Sequence, residues 1–451
     1  MPAEDIEWAL AETRARKRRA AYRKARKYYD GEHDMAFATE RFETVFGGVF
    51  KEIRDNLCPA VVDTVSDRLT ITGVSSSAVR RRGEQVTDPF GQRAWAIWKR
   101  NRMSQRSDEI HRESLLTGDG YAIVWPGEDE RAAIWPQLAD EMAVLYSDVV
   151  PGALVRAARV WRQRDGHARV TLYYPDRIER YISSKVRTTK SVSAREFGFL
   201  DADGEVENPW GRVPVFHFPN KRLFGNGVSE LHDVIPLQDA LNKSVCDMLV
   251  AMEFAAYRQR WATGLEVETD EEGKPKAPPF RPGVDRIFTA EGDAVKFGEF
   301  AETNLEQFLK VQEDLRAEIA RVSGTPLHYL FITRGDFPSG EAMKSAEARL
   351  TEKLEGRQDA HGPTWGQLLA FGLQIEGARL PRDFDLTVDW SDASPRSDEE
   401  RARTGVLKRQ LGVSRRQVLK EQSYSDEVID QMFEDEPVQA VPVPTRPPAE
   451  Q

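Results

Sequence analysis

The spacing of apolar residues changes along the chain, and each change marks a new element. Between residues 4 and 30, small and apolar residues recur among basic ones, which predicts one helix. Ile53, Leu57, Val61, Val65 and Leu69 share a helical face, and Pro59 predicts a kink or break near Asn56. A short strand follows, from Leu69 to Val74. Residues 75–92, polar with scattered Gly and Pro, read as a loop. Helices are expected around Ala94–Asn101 and Asp108–Thr117. The period then falls to two. YAIVWPG, RAAIWPQ, EMAVLYS, LVRAARVWR, ARVTLYYPDRIERYI and EFGFLDADGEVE predict a mostly antiparallel module over about residues 119–220.

Helical spacing returns at Pro236. Leu237, Leu241, Val245, Met248, Leu249, Met252 and Ala256 form one stripe of a helix closing at Trp261 and Gly264. Residues 265–300 alternate acidic, Pro/Gly-rich turns with short strand-like pieces. The stretch Thr303–Ile375 then reads helix, apolar loop, long helix. Thr303 and Glu306 have capping-box spacing, and Leu305, Phe308, Leu315, Ile319 and Val322 form the first helix's stripe. The connector SGTPLHYLFITRGDFPSG contains Pro326, Gly335, Pro338 and Gly340, which exclude it from helix interior. Yet Leu327, Tyr329, Leu330, Phe331 and Ile332 are too apolar for an ordinary solvated connector. It either buries itself or presents itself to something that passes by. Gly356 and Gly362-Pro363 predict a kink or break in the long helix. A strand (DLTVDW), a helical region and the Pro-rich end PVQAVPVPTRPPAEQ, expected to be disordered, complete the chain.

Composition narrows the function classes. A chain of 451 residues with 40% hydrophobic and 31% charged residues has room for two to four domains. No run approaches the roughly 18 apolar residues of a membrane span, and the N-terminus has no signal-peptide pattern. Cys58 and Cys246 are too few for a disulfide framework and sit in apolar contexts, so buried free thiols are expected. A net charge of −10 argues against a surface that grips nucleic acid throughout. RARKRRAAYRKARKYY is the local exception, either a solvated face or a contact with nucleic acid or an acidic partner.

Catalytic signatures are absent. None of the seven histidines pairs with His, Cys or Glu at metal-ligand spacing. There is no Walker A loop and no G-x-S-x-G. FGNGVSE lacks a third glycine and reads as a turn before a helix; DADGE reads as a hairpin turn. No catalytic, cofactor-binding or metal-binding residue is predicted, and no cofactor. GVSRRQVLKEQSYSDEVIDQMF has the outline of a helix-turn-helix. With the Arg-rich N-terminus it defines an alternative function, a DNA-binding regulator.

Several phrases together resemble one family, the portal proteins of tailed bacteriophages of the long-tailed type. They are YYDGEHDMAF, DNLCPAVVDTVSDRLTITGV, GVSELHDVIPLQDALNKSVCDMLVAMEFAAYRQRWATG, IARVSGTPLHYLF and PSGEAMKSAEARLTEKLEGRQ, in that family's order across about residues 28–375. The resemblance implies an α+β portal fold with wing, stem, clip and crown regions and long helices around a central channel. By position, residues 1–234 are wing (the N-terminal helix plus the β-rich module), 235–263 a stem helix, 264–302 clip and 303–322 the second stem helix. Residues 323–340 are then the tunnel loop, 341–375 a long wing helix, 376–436 crown and 437–451 the disordered tail. It further implies a non-enzymatic ring of twelve copies in the virion, at one capsid vertex, assembled in the host cytoplasm. Its partners are double-stranded DNA in the channel, the terminase large subunit, a head-tail adaptor, and the major capsid and scaffolding proteins, with no membrane. The expected DNA-channel residues in the loop are Tyr329, Ile332, Thr333 and Arg334. Glu306, Lys310 and Glu313 are the stem candidates, and Asp270, Glu271 and Glu272 the clip docking residues. An acidic wall suits a sliding duplex, because many phosphate contacts would stall it.

Overall fold

The computed structural model describes residues 2–34, 55–78, 80–82, 85–184, 192–200, 204–222, 225–256, 260–263, 296–299, 304–330, 340–394, 398–422, 424 and 426–434. The single N-terminal helix expected from the sequence is two, α1 (Pro2–Thr13) and α2 (Arg16–Tyr29). They break at Ala15, whose ψ of 112° is extended. The reason is packing. Ile6, Ala9 and Leu10 of α1 pack on Ala143, Ala158, Val170 and Leu172 of a sheet. The buried face of α2 instead joins a helical core through Ala25 and Tyr28.

Helix α3 (Cys58–Ser66) starts after the non-helical residues 55–57, the break expected near Asn56, and carries Pro59 in its first turn, where a missing N–H costs nothing. Residues 75–92 are not the expected plain loop. Strand β1 (Ile71–Ser76) is followed by the hairpin β2 (Arg80–Arg82) and β3 (Gln85–Thr87), then by α4 (Pro89–Arg100). Asp88 caps α4, accepting from Gly91 N at 2.9 Å. Helix α5 (Met103–Thr117) ends at Gly118, whose φ of 103° favours glycine.

The β-rich module is antiparallel throughout and divides into two sheets. Three strands, β4 (Asp119–Pro126), β5 (Ala132–Gln137) and β12 (Val215–Pro219), run in the order β12-β4-β5. The other sheet comprises β6 (Met142–Tyr146), β7 (Leu154–Arg162), β8 (Ala168–Tyr173), β9 (Arg177–Ser183), β10 (Phe197–Phe199) and β11 (Glu205–Glu207). Residues 201–203 of DADGE, where a hairpin turn is expected, lie outside the described residues. Strands β10 and β11 both pair with β9, at Ser183–Tyr181 and Glu179–Arg177, so they follow each other along one edge.

Helix α6 (Ile235–Ala256) ends before Trp261, which lies instead on β13 (Arg260–Thr263), paired with β14 (Lys296–Glu299). Helix α7 spans Glu306–Ser323. Its N-cap position is Leu305, with Asn304 Oδ1 accepting from Glu306 N; Thr303 of the expected capping box lies outside the described residues. The apolar connector begins with a helical turn, α8 (Leu327–Leu330). Helix α9 (Gly340–Ile375) is unbroken over 36 residues despite Pro363, about 54 Å of helix. The sequence suggested a break there. Tertiary packing overrides it, because the segment is clamped by buried His361, Trp365, Leu368 and Leu369. Strand β15 (Leu386–Trp390) pairs with β1, and α10 (Asp398–Gln410), α11 (Arg415–Glu421) and α12 (Asp426–Glu434) close the described chain.

Helix α9 runs through two cores. Leu350 and Leu354 join Val61, Val62, Val65, Leu231, Leu241 and Ile319 in a helical core. Further along, Trp365, Leu368, Phe371 and Leu373 pack with Ile97, Trp98, Ile110, Ile134 and Phe218 in a mixed core beneath β15. Gly366 permits the contact with β15, since a Cβ there would lie 2.0 Å from the Leu386 carbonyl oxygen. Cys58 and Cys246 are buried free thiols, and burial pushes the Cys58 thiol up to about 12.

Candidate functional surface: a helix pair and its loop root

Helices α6 and α7 pack side by side, and polar contacts fix the base of the pair. Gln238 Oε1 accepts from Leu57 N at 3.0 Å, and Asn242 Oδ1 accepts from Asp55 N at 3.2 Å. Arg316 of α7 donates to Asp55 Oδ2 through Nη2 at 2.7 Å and Nε at 3.1 Å, a two-point carboxylate contact. Only one stripe of α7 is buried: Gln312, Ile319, Ala320 and Ser323. Glu306, Lys310 and Glu313 recur at four- and three-residue spacing and are all exposed, on a flank beside the buried stripe. Asp314 is exposed too, and Glu318 pairs with Arg321 at 2.5 Å. With Arg316 neutralised by Asp55, carboxylates outnumber the lysine on that face. Leu309 and Val311 are about half exposed, at 50% and 49%, and Met252 of α6 is at 46%.

The connector after α7 is anchored at its root. Leu330 is buried in the helical core. The Tyr329 hydroxyl donates to Glu347 Oε1 of α9 at 2.7 Å and accepts from Arg68 Nη2 at 2.5 Å. The Arg68 guanidinium also lies 5.6 Å from the Tyr329 ring centroid. His328 Nε2 is 3.4 Å from the same Glu347 carboxylate. Burial, then the hydrogen bond to Glu347, raise the Tyr329 pKa, so it stays a neutral phenol. Tyr329 is thus a tether between connector, α3 end and α9. Ile332, Thr333 and Arg334, and likewise Asp270, Glu271 and Glu272, lie outside the described residues.

Residues that the sequence did not single out lock α9 against the β-rich module. Glu230 is buried, with Oε1 accepting from Arg357 Nη2 at 2.9 Å and Asn220 Nδ2 at 3.0 Å. Its Oε2 lies 2.9 Å from Lys353 Nζ and 3.3 Å from Lys221 Nζ. Burial alone would raise this carboxyl's pKa. The three cations reverse that and hold it well below the usual range. A second buried group centres on Asp119, which accepts from His217 Nε2 at 2.8 Å, from Gly227 N at 2.8 Å, and from the Tyr22 hydroxyl. The glycine of FGNGVSE therefore marks a backbone contact, as expected of a turn. A Cβ on Gly227 would sit 1.8 Å from Gly118 O. No sequence signal pairs Glu230 with residues more than 120 positions away.

The basic N-terminal run is partly internal. Arg18 donates to Met142 O at 2.6 Å, and Arg26 bridges Glu113 and Asp140. Arg16, Lys17, Arg19, Arg23 and Lys24 remain exposed. The supposed recognition helix α11 is seven residues long, and its Val418 is buried, packing close to Gly405 of α10. Among the described residues, no cluster of three or more His, Cys, Asp or Glu side chains could hold a metal, and no helix is long and apolar enough to cross a membrane.

Residues 12–438 match the family model described as phage portal protein, SPP1 Gp6-like. The chain belongs to that portal family. It is 23% identical over 356 residues to the portal protein of Mycobacterium phage D29, covering 74% of this chain and 68% of that one. For the portal protein of Mycobacterium phage L5 the identity is 22% over the same shares. Among solved structures, a chain from the virion of a native gene transfer agent particle aligns with a TM-score of 0.44 and 15% identity, over 82% of this chain and 88% of that one. A chain from the neck of the native particle, computed with C12 symmetry, aligns at 0.41 and 16% over the same shares. The portal family thus accounts for the order of the phrases noted in the sequence, and the fold mixes helix and antiparallel sheet.

Proposed function

We propose that twelve copies of this chain close into a ring at one capsid vertex, and that double-stranded DNA enters and leaves the particle through its channel. The family match over residues 12–438 carries the reading. On it, α6 and α7 are stem helices, α9 is the long wing helix, and residues 264–302 are the clip that docks the terminase large subunit and then a head-tail adaptor. The protein is structural and hydrolyses nothing; ATP turnover belongs to the separate motor.

The surface of the helix pair supports the reading. Leu309, Val311 and Met252 are apolar and open in one copy, as expected of residues that a neighbour covers in a head-to-tail ring. The face with Glu306, Glu313 and Asp314 offers a duplex few cations, so it would slide without the many phosphate contacts that slow movement. Tyr329 holds the root of the tunnel loop, and Ile332, Thr333 and Arg334 beyond it are its DNA-facing residues.

Native mass spectrometry tests the assembly. Twelve chains of 51.2 kDa give roughly 0.6 MDa, and a ring one subunit larger would support the same closure. A monomer or dimer at every concentration and salt tried would overturn it.

A further inference from the structure

A groove of about 300 Å³ lies between the two sheets of the β-rich module. Trp125 and Trp135 line it from β4 and β5, and Trp161 and Arg159 from β7. Strand register puts Arg159, Thr171 and Arg180 in one row across β7, β8 and β9. Two strands separate the arginines by about 9.5 Å. Arg159 is held by Glu141 at 2.9 Å and stacks on Trp161 at 4.4 Å. Arg180 has no carboxylate partner among the described residues, and Trp135 is 38% exposed. The groove is thus aromatic-walled and cationic, with volume at the lower end of ligand sites.

The chain carries a segment of matching chemistry. Residues 437–451 read PVQAVPVPTRPPAEQ. Pro444, Pro447 and Glu450 recur at three-residue spacing, so in a polyproline helix they share one edge, with about 9 Å between successive members. Polyproline edges dock in aromatic-lined grooves because the prolines are ordered before they bind. The 17 residues beyond Glu434 reach about 53 Å when extended in this form.

We propose that this groove is the docking site of the chain's own proline-rich tail, with Pro444 and Pro447 on the tryptophans and the Glu450 carboxylate on Arg180. The inference does not depend on the ring. Photocrosslinking in the full-length protein tests it, with p-benzoylphenylalanine replacing Val443 and the products mapped by mass spectrometry. Crosslinks should reach the peptides containing Trp135 or Trp161. Trp135→Ala should reduce them about fivefold, the effect of losing one aromatic contact. Arg180→Glu should reduce them similarly, and pairing it with Glu450→Lys should restore them. Circular dichroism checks the fold of each variant, and Arg180→Glu serves if Trp135→Ala fails to fold. Crosslinks only to the C-terminal helices or to other proteins, no crosslinks, or groove crosslinks indifferent to both substitutions would overturn the proposal.

Discussion

Two buried histidines make the stability of the mixed core depend on pH. His111 of α5 and His361 of α9 stack with ring centroids 5.7 Å apart, and both are fully buried. His111 Nε2 accepts from Trp365 Nε1 at 3.0 Å, which places the neutral ring's proton on Nδ1. Burial is the main cause that pushes His111 down, to about 4, with Asp108 opposing. His361 is pushed well below the ordinary value by burial, then by His111 and Arg357. A group whose folded pKa lies below its unfolded one binds protons more readily in the unfolded chain. Its contribution is therefore intact above about pH 6.5 and falls away as pH drops from there toward 4. For His111 alone the loss between about pH 7.5 and about pH 5 is roughly 2 kcal/mol, at about 1.4 kcal/mol per unit. His111→Gln keeps an acceptor for Trp365 and removes the titration. Urea unfolding followed by tryptophan fluorescence at both pH values should show the stability gap between wild type and variant move by about 2 kcal/mol in favour of the variant on acidification. Carboxylates common to both proteins cancel in that difference. A gap constant between the two pH values would refute the reasoning.

Other perturbations have equally definite outcomes. Gly366→Ala drives a Cβ into the Leu386 carbonyl and should cost roughly 1–3 kcal/mol, read as a lowered thermal midpoint; an unchanged midpoint would show that β15 yields freely. Glu230→Ala leaves Lys353, Lys221 and Arg357 facing one another in a buried site and should cost about 3–5 kcal/mol in chemical denaturation, whereas a loss below about 1 kcal/mol would mean that water enters the cluster. Deleting residues 331–336, which spares the core residue Leu330, should leave ring size unchanged in native mass spectrometry and impair packaging, measured as nuclease-protected genome length; normal full-length genomes would remove the loop from the DNA path. Charge reversal at Asp270, Glu271 and Glu272 should weaken terminase or adaptor capture in a pull-down while the ring persists, and undiminished capture would exclude those residues from docking.

How much was legible in the sequence depended on the range of the interactions involved. The stripe from Leu237 to Ala256 and the alternation in LVRAARVWR declared their elements because period and burial are local. The break at Ala15 did not, because two distant surfaces pull α1 and α2 apart. Pro363 misled in the other direction: a local rule predicted interruption, and Trp365 packed on Trp98 and Phe218 keeps the helix whole. Glu306, Lys310 and Glu313 came only from the family resemblance, and the pairing of Arg316 with Asp55 spans 261 positions and left no trace in the sequence. Tyr329 was marked as a loop residue of interest, yet its tie to Glu347 and Arg68 needed three elements to meet. Around DADGE the sequence carries a turn signal but no sign that β10 and β11 both pair with β9.

The pairing of β1 with β15 has a consequence during synthesis. Ile71 finds Trp390 only after 319 further residues have emerged, about 16–64 s at ordinary elongation rates. Until β15 emerges β1 is an open edge, and until residues 365–373 emerge Ile97 and Trp98 lack the segment that covers them. A nascent chain stopped before residue 365 would keep both surfaces bare, and crowded copies on one message would meet edge to edge. Premature termination before residue 365 should therefore yield aggregates, not a shortened soluble protein.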